Sequence, residues 1–314
     1  MELIKPMEPI LVEDIIKERD FIHQIKWDGI RIMSCLDNGQ LQLYTKRGNN
    51  QTNQYPEIKQ LLDIDHVSNA IFDGEVICLK DGKPSFREIL IRNRSSKELV
   101  INELMERYPV YYIVFDILHL NGMDLTKNPF HERHLILNKI ITSSSRIKTA
   151  ENNDNPQEIY SIVKENELEG IISKDLNSTY ISGKTHKKWY KYKLERKMLC
   201  VICGININSD KKPKSIILGI YNDGRLIQVG AASSGLTQRD IELLNEYKEK
   251  LSIDFNPFSK VRSIKSPDII WFNPSLTCWI SFMEWTDEGV MRHPKILGFS
   301  NERMDKADGT EYIK

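Results

Sequence analysis

The run Gln24-Ile25-Lys26-Trp27-Asp28-Gly29-Ile30-Arg31 ends an apolar strand on a lysine, turns at Asp-Gly and continues with an arginine. A lysine held among other cations has its ammonium form disfavoured, and the neutral amine is a nucleophile. Arg31 carries a planar fork suited to clamping a phosphate. On its own so short a pattern equally suits a hairpin flanked by surface charges. Other groups add to it. Glu75 follows a glycine turn in Phe72-Asp73-Gly74-Glu75, where it can accept ribose hydroxyls or help hold a metal. Glu169 precedes the apolar run Gly170–Ser173, and a hard carboxylate there suits Mg²⁺, which keeps several waters and takes only one or two protein carboxylates. Lys191 and Lys193 are two apart and share one face of a strand, with Tyr190 and Tyr192 on the other. Lysines lined up towards one cavity are costly unless anions sit there, which favours a triphosphate.

Taken together, these runs are similar to the ordered motifs of one family. Lys26–Arg31 resembles the KxDGxR nucleotidyl-transfer motif of ATP-dependent DNA ligases. Thr45-Lys46-Arg47-Gly48, Phe72–Glu75, Val114-Phe115-Asp116, Glu169–Lys174 and Trp189–Lys193 resemble the motifs that follow, and Arg303-Met304-Asp305-Lys306 resembles the RxDK motif of the barrel domain. The resemblance implies that Lys26 is the catalytic nucleophile and that Arg47 contacts the nick phosphate. It also implies that Phe115 stacks on adenine, that Glu169, with Glu75, holds the metal, and that Arg303 and Lys306 orient the departing pyrophosphate. Gln24, Ile25, Arg31, Glu75, Lys191 and Lys193 complete the expected nucleotide site. One departure stands out. Many family members carry Glu two residues before the nucleophile to read the adenine amino group, whereas Gln24 can accept through its carbonyl or turn and donate. Asp116, next to Phe115, is expected on the opposite strand face in a structural role.

Strand-like runs at Phe21–Ile25, Ile30–Leu36, Leu41–Thr45, Ala70–Leu79, Val110–Leu118 and Gly170–Ser173 must position these groups. Helices are expected at Tyr55–Leu62, Ser85–Asn93, Lys97–Arg107, Glu132–Ile141 and Pro156–Glu165, the last capped by Asn155 with Pro156 at its first position. Ala150–Asn155 reads as an exposed loop. Beyond Lys197 the chain is strand-rich, at Met198–Asn206, Lys214–Tyr221, Leu226–Ala231, Ile269–Phe272 and Cys278–Trp285, with one helix at Thr237–Leu251 and a hairpin turn at Asp223-Gly224. By composition Asn301–Lys314 reads as a frayed end. The expected fold is α+β: a nucleotidyltransferase (adenylation) domain over residues 1–197, then an OB-fold β-barrel domain over 198–314.

The 314 residues hold 44 Lys+Arg and 44 Asp+Glu, and residues 1–197 and 198–314 are each neutral. Neutrality argues against a uniformly basic body but not against a local basic surface. Gly183–Lys197 carries a net charge of +6 with Trp189, Tyr190 and Tyr192 interleaved, a pattern suited to tracking phosphates. No stretch approaches the roughly 20 apolar residues of a membrane span, and the N-terminus lacks a secretory pattern. Five cysteines suit reduced thiols better than a disulfide scaffold. Cys200-Val201-Ile202-Cys203 has zinc-like spacing, but in a strand its cysteines face opposite sides and no second pair completes four ligands. The seven histidines form no recognisable triad.

The resemblance therefore implies a full-length, monomeric ATP-dependent DNA ligase of the bacterial or phage type, similar to the ligase module of bacterial end-joining enzymes. It would use ATP and Mg²⁺ (or Mn²⁺), act on nicked or broken duplex DNA in the cytoplasm or nucleoid, work without a membrane, and meet a Ku-type partner if it serves end joining. An RNA ligase or a capping guanylyltransferase shares Lys26 and the fold, but capping enzymes usually carry Asp-Gly where this chain has Glu169-Gly170. An NAD-dependent ligase is disfavoured by chain length and the missing four-Cys module. A non-catalytic DNA-end-binding module is disfavoured by the intact Lys26.

Overall fold

The computed structural model describes residues 4–141, 145–259, 268–286 and 288–313. They divide into two compact units, Met1–Lys193 and Leu194–Lys314. Arg196 and Lys197 already pair with Phe282 and Ser281, so the break precedes them.

The first unit contains two sheets. One has four strands in the order Glu8–Val12, Thr185–Lys193, Gly170–Asp175, Phe21–Lys26. The main path of the other runs Gln40–Thr45, Ile30–Asp37, Asn69–Lys80, Val110–Leu120. Strand periodicity explains its two faces. Ile32, Leu36, Ala70, Phe72, Val76 and Cys78 point into the larger core under the helices. Met33, Cys35 and Ile71 point the other way, into a second core with Met7, Phe130, Tyr180 and Trp189. Arg31, Asp73 and Glu75 are in phase with this second set. Fully burying one such large apolar side chain contributes about 1.5–3 kcal/mol, so two fully formed cores fix which residues face the space between them.

Strand Val110–Leu120 breaks the simple alternation. Asp73 pairs with Asp116 and Gly74 with Val114, so Phe115 faces no partner residue on Asn69–Lys80. After this slip Ile117, rather than Asp116, joins the core that holds Val114. The expectation that Asp116 faces away from Phe115 is thereby corrected. Asp116 is fully buried on the Phe115 side, where it accepts from Arg133 Nε and Nη2 at 2.8 Å each. Arg133 lies on helix Phe130–Ile140 and also donates to the Asn128 and Ser178 carbonyls. The pair ties that helix to the strand.

Helix Pro156–Glu165 forms with the expected cap, Asn155 Oδ1 accepting from Gln157 and Glu158 N–H. The segment expected as a helix at Tyr55–Leu62 is instead a 3₁₀ helix, Pro56–Asp63, which Tyr55 precedes in a non-helical conformation. Ala150–Asn155 is not simply an exposed loop. Ala150 is buried, and Asn153 forms a backbone bridge with His23.

In the second unit Arg196–Ile207 is the central strand, between Pro213–Asn222 and Ile269–Phe282. The two runs expected at Ile269–Phe272 and Cys278–Trp285 fall on one continuous strand, Ile269–Phe282, which Arg196–Ile207 follows through an irregularity between Ile202 and Gly204. Among the described residues seven strands form one sheet, against which packs a helix, Gln238–Leu251, closed at its start by a Thr237–Asp240 capping box. Asp223 and Gly224 have φ of 50° and 72°, as a tight hairpin demands. Cys200 and Cys203 are free, buried and in different core clusters. The segment expected to fray contains a 3₁₀ turn, Met304–Lys306, and a strand, Glu311–Ile313, paired with Arg196–Met198.

Candidate active site

Three strands bring the reactive groups abreast. Gly170 pairs with Lys26 on one side and with Lys193 on the other, and Ile172 pairs with Gln24 and Lys191. Gly170 has φ +155°, and a Cβ there would meet the Tyr192 carbonyl oxygen at 2.1 Å, so only glycine lets the strands approach. Glu169, just before it, forms ion pairs with Lys26 and with Lys193, the latter at 3.0 Å. One carboxylate thus bridges the two lysines.

A cavity of about 660 Å³ opens beside this row. Gln24, Ile25, Lys26, Arg31, Arg47, Glu75, Phe115 and Lys191 all line it. Gln24 is buried and donates to Asn152 Oδ1 at 2.8 Å, an acceptor from the segment read as an exposed loop. Arg31 is held by Asp73, with Nε–Oδ1 at 2.9 Å and Nη2–Oδ2 at 2.7 Å. Burial works against the Arg31 charge, and Asp73, Tyr180 and Glu8 outweigh it, so the guanidinium is more firmly protonated than usual. Its fork is therefore already occupied by a carboxylate. Tyr180 donates to the same Asp73 oxygen at 2.6 Å and accepts from Met7 N–H, pinning the N-terminal segment to the site.

Burial pushes the Glu75 carboxyl up to about 8; Lys26 and Arg31 pull it back, and Glu169 and Asp73 add to the rise. Burial also lowers the Lys191 ammonium, which Glu8 supports and Lys26, Lys193 and Lys46 oppose. Such crowding of cations suits a polyphosphate. Glu169 is close enough to disfavour the charge of Glu75, and such a pair of carboxylates is a donor set that fits one Mg²⁺. Among the described residues no larger group of acids, His and Cys is arranged for a metal.

Arg303 and Lys306 belong to the second unit and are exposed there, Arg303 paired with Asp305 at 3.1 Å and Lys306 with Glu302 at 3.3 Å. Sequence reasoning missed Glu8, Asn152 and Tyr180, and gave Lys174 no role of its own. Glu8 lines the cavity and meets Lys46 at 2.8 Å and Arg31 at 3.8 Å. Nothing local in the sequence signals it. Lys174 carried one clue, a lysine inside an apolar strand run.

The family model described as "ATP dependent DNA ligase domain" matches residues 3–193, and "ATP dependent DNA ligase C terminal region" matches 209–306. The chain is 26% identical over 292 residues to the multifunctional non-homologous end joining protein LigD of Mycolicibacterium smegmatis, covering 91% of this chain and 37% of that protein. The chain thus spans well under half the length of that relative. It superposes on the ligase domain of Mycobacterium tuberculosis LigD with a TM-score of 0.55 at 23% identity, covering 97% of both chains. A mycobacterial DNA ligase D complexed with ATP and MES gives a TM-score of 0.54 at 24% identity, again over 97% of both. The two units are accordingly the nucleotidyltransferase domain and the C-terminal OB-fold domain of that fold. With both family models matched in order over most of its length, the chain belongs to the ATP-dependent DNA ligases.

Proposed function

We propose that the chain seals nicked or broken duplex DNA through a lysyl-AMP intermediate. The observation that carries this reading is the Lys26–Glu169–Lys193 row, whose Lys26 lines a cavity shared with Arg31, Arg47, Lys191 and the Phe115 ring. Lys26 Nζ attacks the α-phosphorus of ATP, the N–P bond forms, and the bond to pyrophosphate breaks. Glu169 is the carboxylate in contact with Nζ and so the nearest acceptor for the amine proton. Lys191 and Lys193 offset charge on the transferring group. The AMP then passes to a 5′-phosphate, and a 3′-hydroxyl displaces it. Positioning and charge supply most of the catalysis in such a transfer, which accounts for a site of Lys, Arg and Glu without histidine.

Phe115 is the base platform in this reading. Gln24, held by Asn152 through its amide N–H₂, presents its carbonyl oxygen to the adenine amino group. Arg31, engaged by Asp73, orders the wall beneath the nucleotide, and Arg47 faces the nick phosphate. Arg303 and Lys306 are assigned to the pyrophosphate. Glu75 and Glu169 would hold Mg²⁺, which would supply Lewis-acid stabilisation of the phosphoryl oxygens when bound. The LigD relatives make end-joining repair, with a Ku-type partner, the pathway to test first. We further assign the chain to the cytoplasm or nucleoid as a monomer; no described helix is long and apolar enough to cross a membrane. The test supplies ATP or GTP with nicked DNA or nicked RNA. Sealing of DNA with ATP is expected, and preference for GTP or for RNA would overturn the reading.

A further inference from the structure

Lys174 is 1% exposed, yet its side chain ends in an amine. Its Nζ lies 4.5 Å from the Phe115 ring centroid, 4.6 Å from that of Phe130 and 4.2 Å from that of Trp189. It donates to the Phe115 carbonyl at 3.2 Å. That carbonyl belongs to the residue at which the strand register slips, and such bulges re-aim a side chain near functional sites. The lysine thus comes from one sheet and closes the irregularity in the other. Arg31 approaches the same ring at 5.3 Å, and both Arg31 and Phe115 line the cavity.

Keeping a cation here is costly. Burial lowers the Lys174 ammonium to about 7; Asp116 and Asp73 support its charge, and Arg133 and Arg31 oppose it. A methionine would fill the same space without that cost, so filling space does not explain the lysine. The rings and the carbonyl do, because each favours a cation at that point.

We propose that Lys174 is a positioning residue, which pins the bulge at Phe115 and so aims the Phe115 ring at the base of the bound nucleotide. The proposal rests on the ligase reading and deepens it: Lys174 acts through Phe115 rather than on the reacting phosphates.

The experiment is a double-mutant cycle of Lys174→Met and Phe115→Leu in the full chain, read as the ATP dependence of AMP labelling. Lys174→Met is expected to raise KM for ATP by about tenfold with kcat within about threefold, since a uniform binding contribution is lost. In the Phe115→Leu background the same change is expected to shift KM by less than about twofold, because the two residues act as a unit. An unchanged KM in Lys174→Met, or its full effect persisting beside Phe115→Leu, overturns the proposal. Lys174→Arg, which keeps cation and donor, is expected to hold KM within about threefold of the unmutated chain and takes the place of Lys174→Met if that protein does not fold. A loss in Lys174→Arg as large as that of Phe115→Leu also overturns it. Failure of the unmutated chain to take up AMP would instead sink the ligase reading itself.

Discussion

Burial holds the Glu75 carboxyl protonated up to about 8, far above the 4.5 of an unperturbed glutamate, and its neighbours Glu169 and Asp73 work in the same direction. The folded state therefore favours the protonated form. The stability this group contributes is fully present below pH 4.5 and is lost as pH rises through about 8. Glu75→Gln is accordingly expected to be more stable than the parent in metal-free buffer at about pH 9, with the advantage fading towards about pH 5. Thermal melts at the two pH values check this, and a difference that does not change with pH would refute it. If Glu75 holds Mg²⁺ as proposed, the ion would displace that proton, raising the parent's melting temperature more at high pH than at low and that of Glu75→Gln little. At this scale the sequence offered residue types but not their partners. Arg31 read as a phosphate clamp because nothing in its neighbourhood reveals that Asp73, 42 positions on, occupies its fork. Lys174 went without a role for the same reason, since its three rings come from three separate elements.

Elements turn these residues into a site through register. Gly170 stands between Lys26 and Lys193, and a methyl group there collides with the Tyr192 carbonyl. Gly170→Ala is expected to separate the two lysine strands, lowering the AMP-labelling rate by at least about a hundredfold, because displacement of about 1 Å is enough for that. A rate within about threefold of the parent would contradict the role given to this register. The Asp116–Arg133 pair is fully buried on both sides, so Asp116→Ala leaves an uncompensated guanidinium and should cost about 3–5 kcal/mol in urea unfolding. A loss under about 1 kcal/mol would mean that the helix is held by other means. Strand patterning made most strands of the first unit readable, including Ile30–Asp37 and Asn69–Lys80, whose apolar residues feed two cores from alternate positions. It failed where an extra residue interrupts the period. The slip at Phe115 reversed the expected face of Asp116, and Asn273-Pro274-Ser275, which reads as a break, lies inside one continuous strand.

Across the whole molecule, charge is balanced overall and uneven locally. Gly183–Lys197 carries a net +6, and within it Lys191 lines the cavity and Lys193 pairs with Glu169, while the complete chain carries no net charge. A protein of this kind should hold nicked duplex through a small number of phosphate contacts, losing roughly tenfold to a hundredfold in affinity between about 50 and 200 mM salt. Tight binding indifferent to salt would contradict that picture. The order of motifs made the two-part architecture legible, and the sheets of the first unit gather motifs at strand ends, as at Lys26 and Lys193, and within strands, as at Glu75 and Phe115. Glu8 was not legible, since it enters the cavity only through the parallel pairing of the first strand with Thr185–Lys193. The central claim is that Lys26 carries the AMP. Incubation of the purified chain and its Lys26→Ala variant with ATP labelled at the α-phosphate, followed by denaturing electrophoresis and a nicked-DNA chase, tests it most directly. Label on the parent that moves to DNA, and none on Lys26→Ala, is the expected result; a Lys26→Ala protein labelled at the parent's rate would contradict the account.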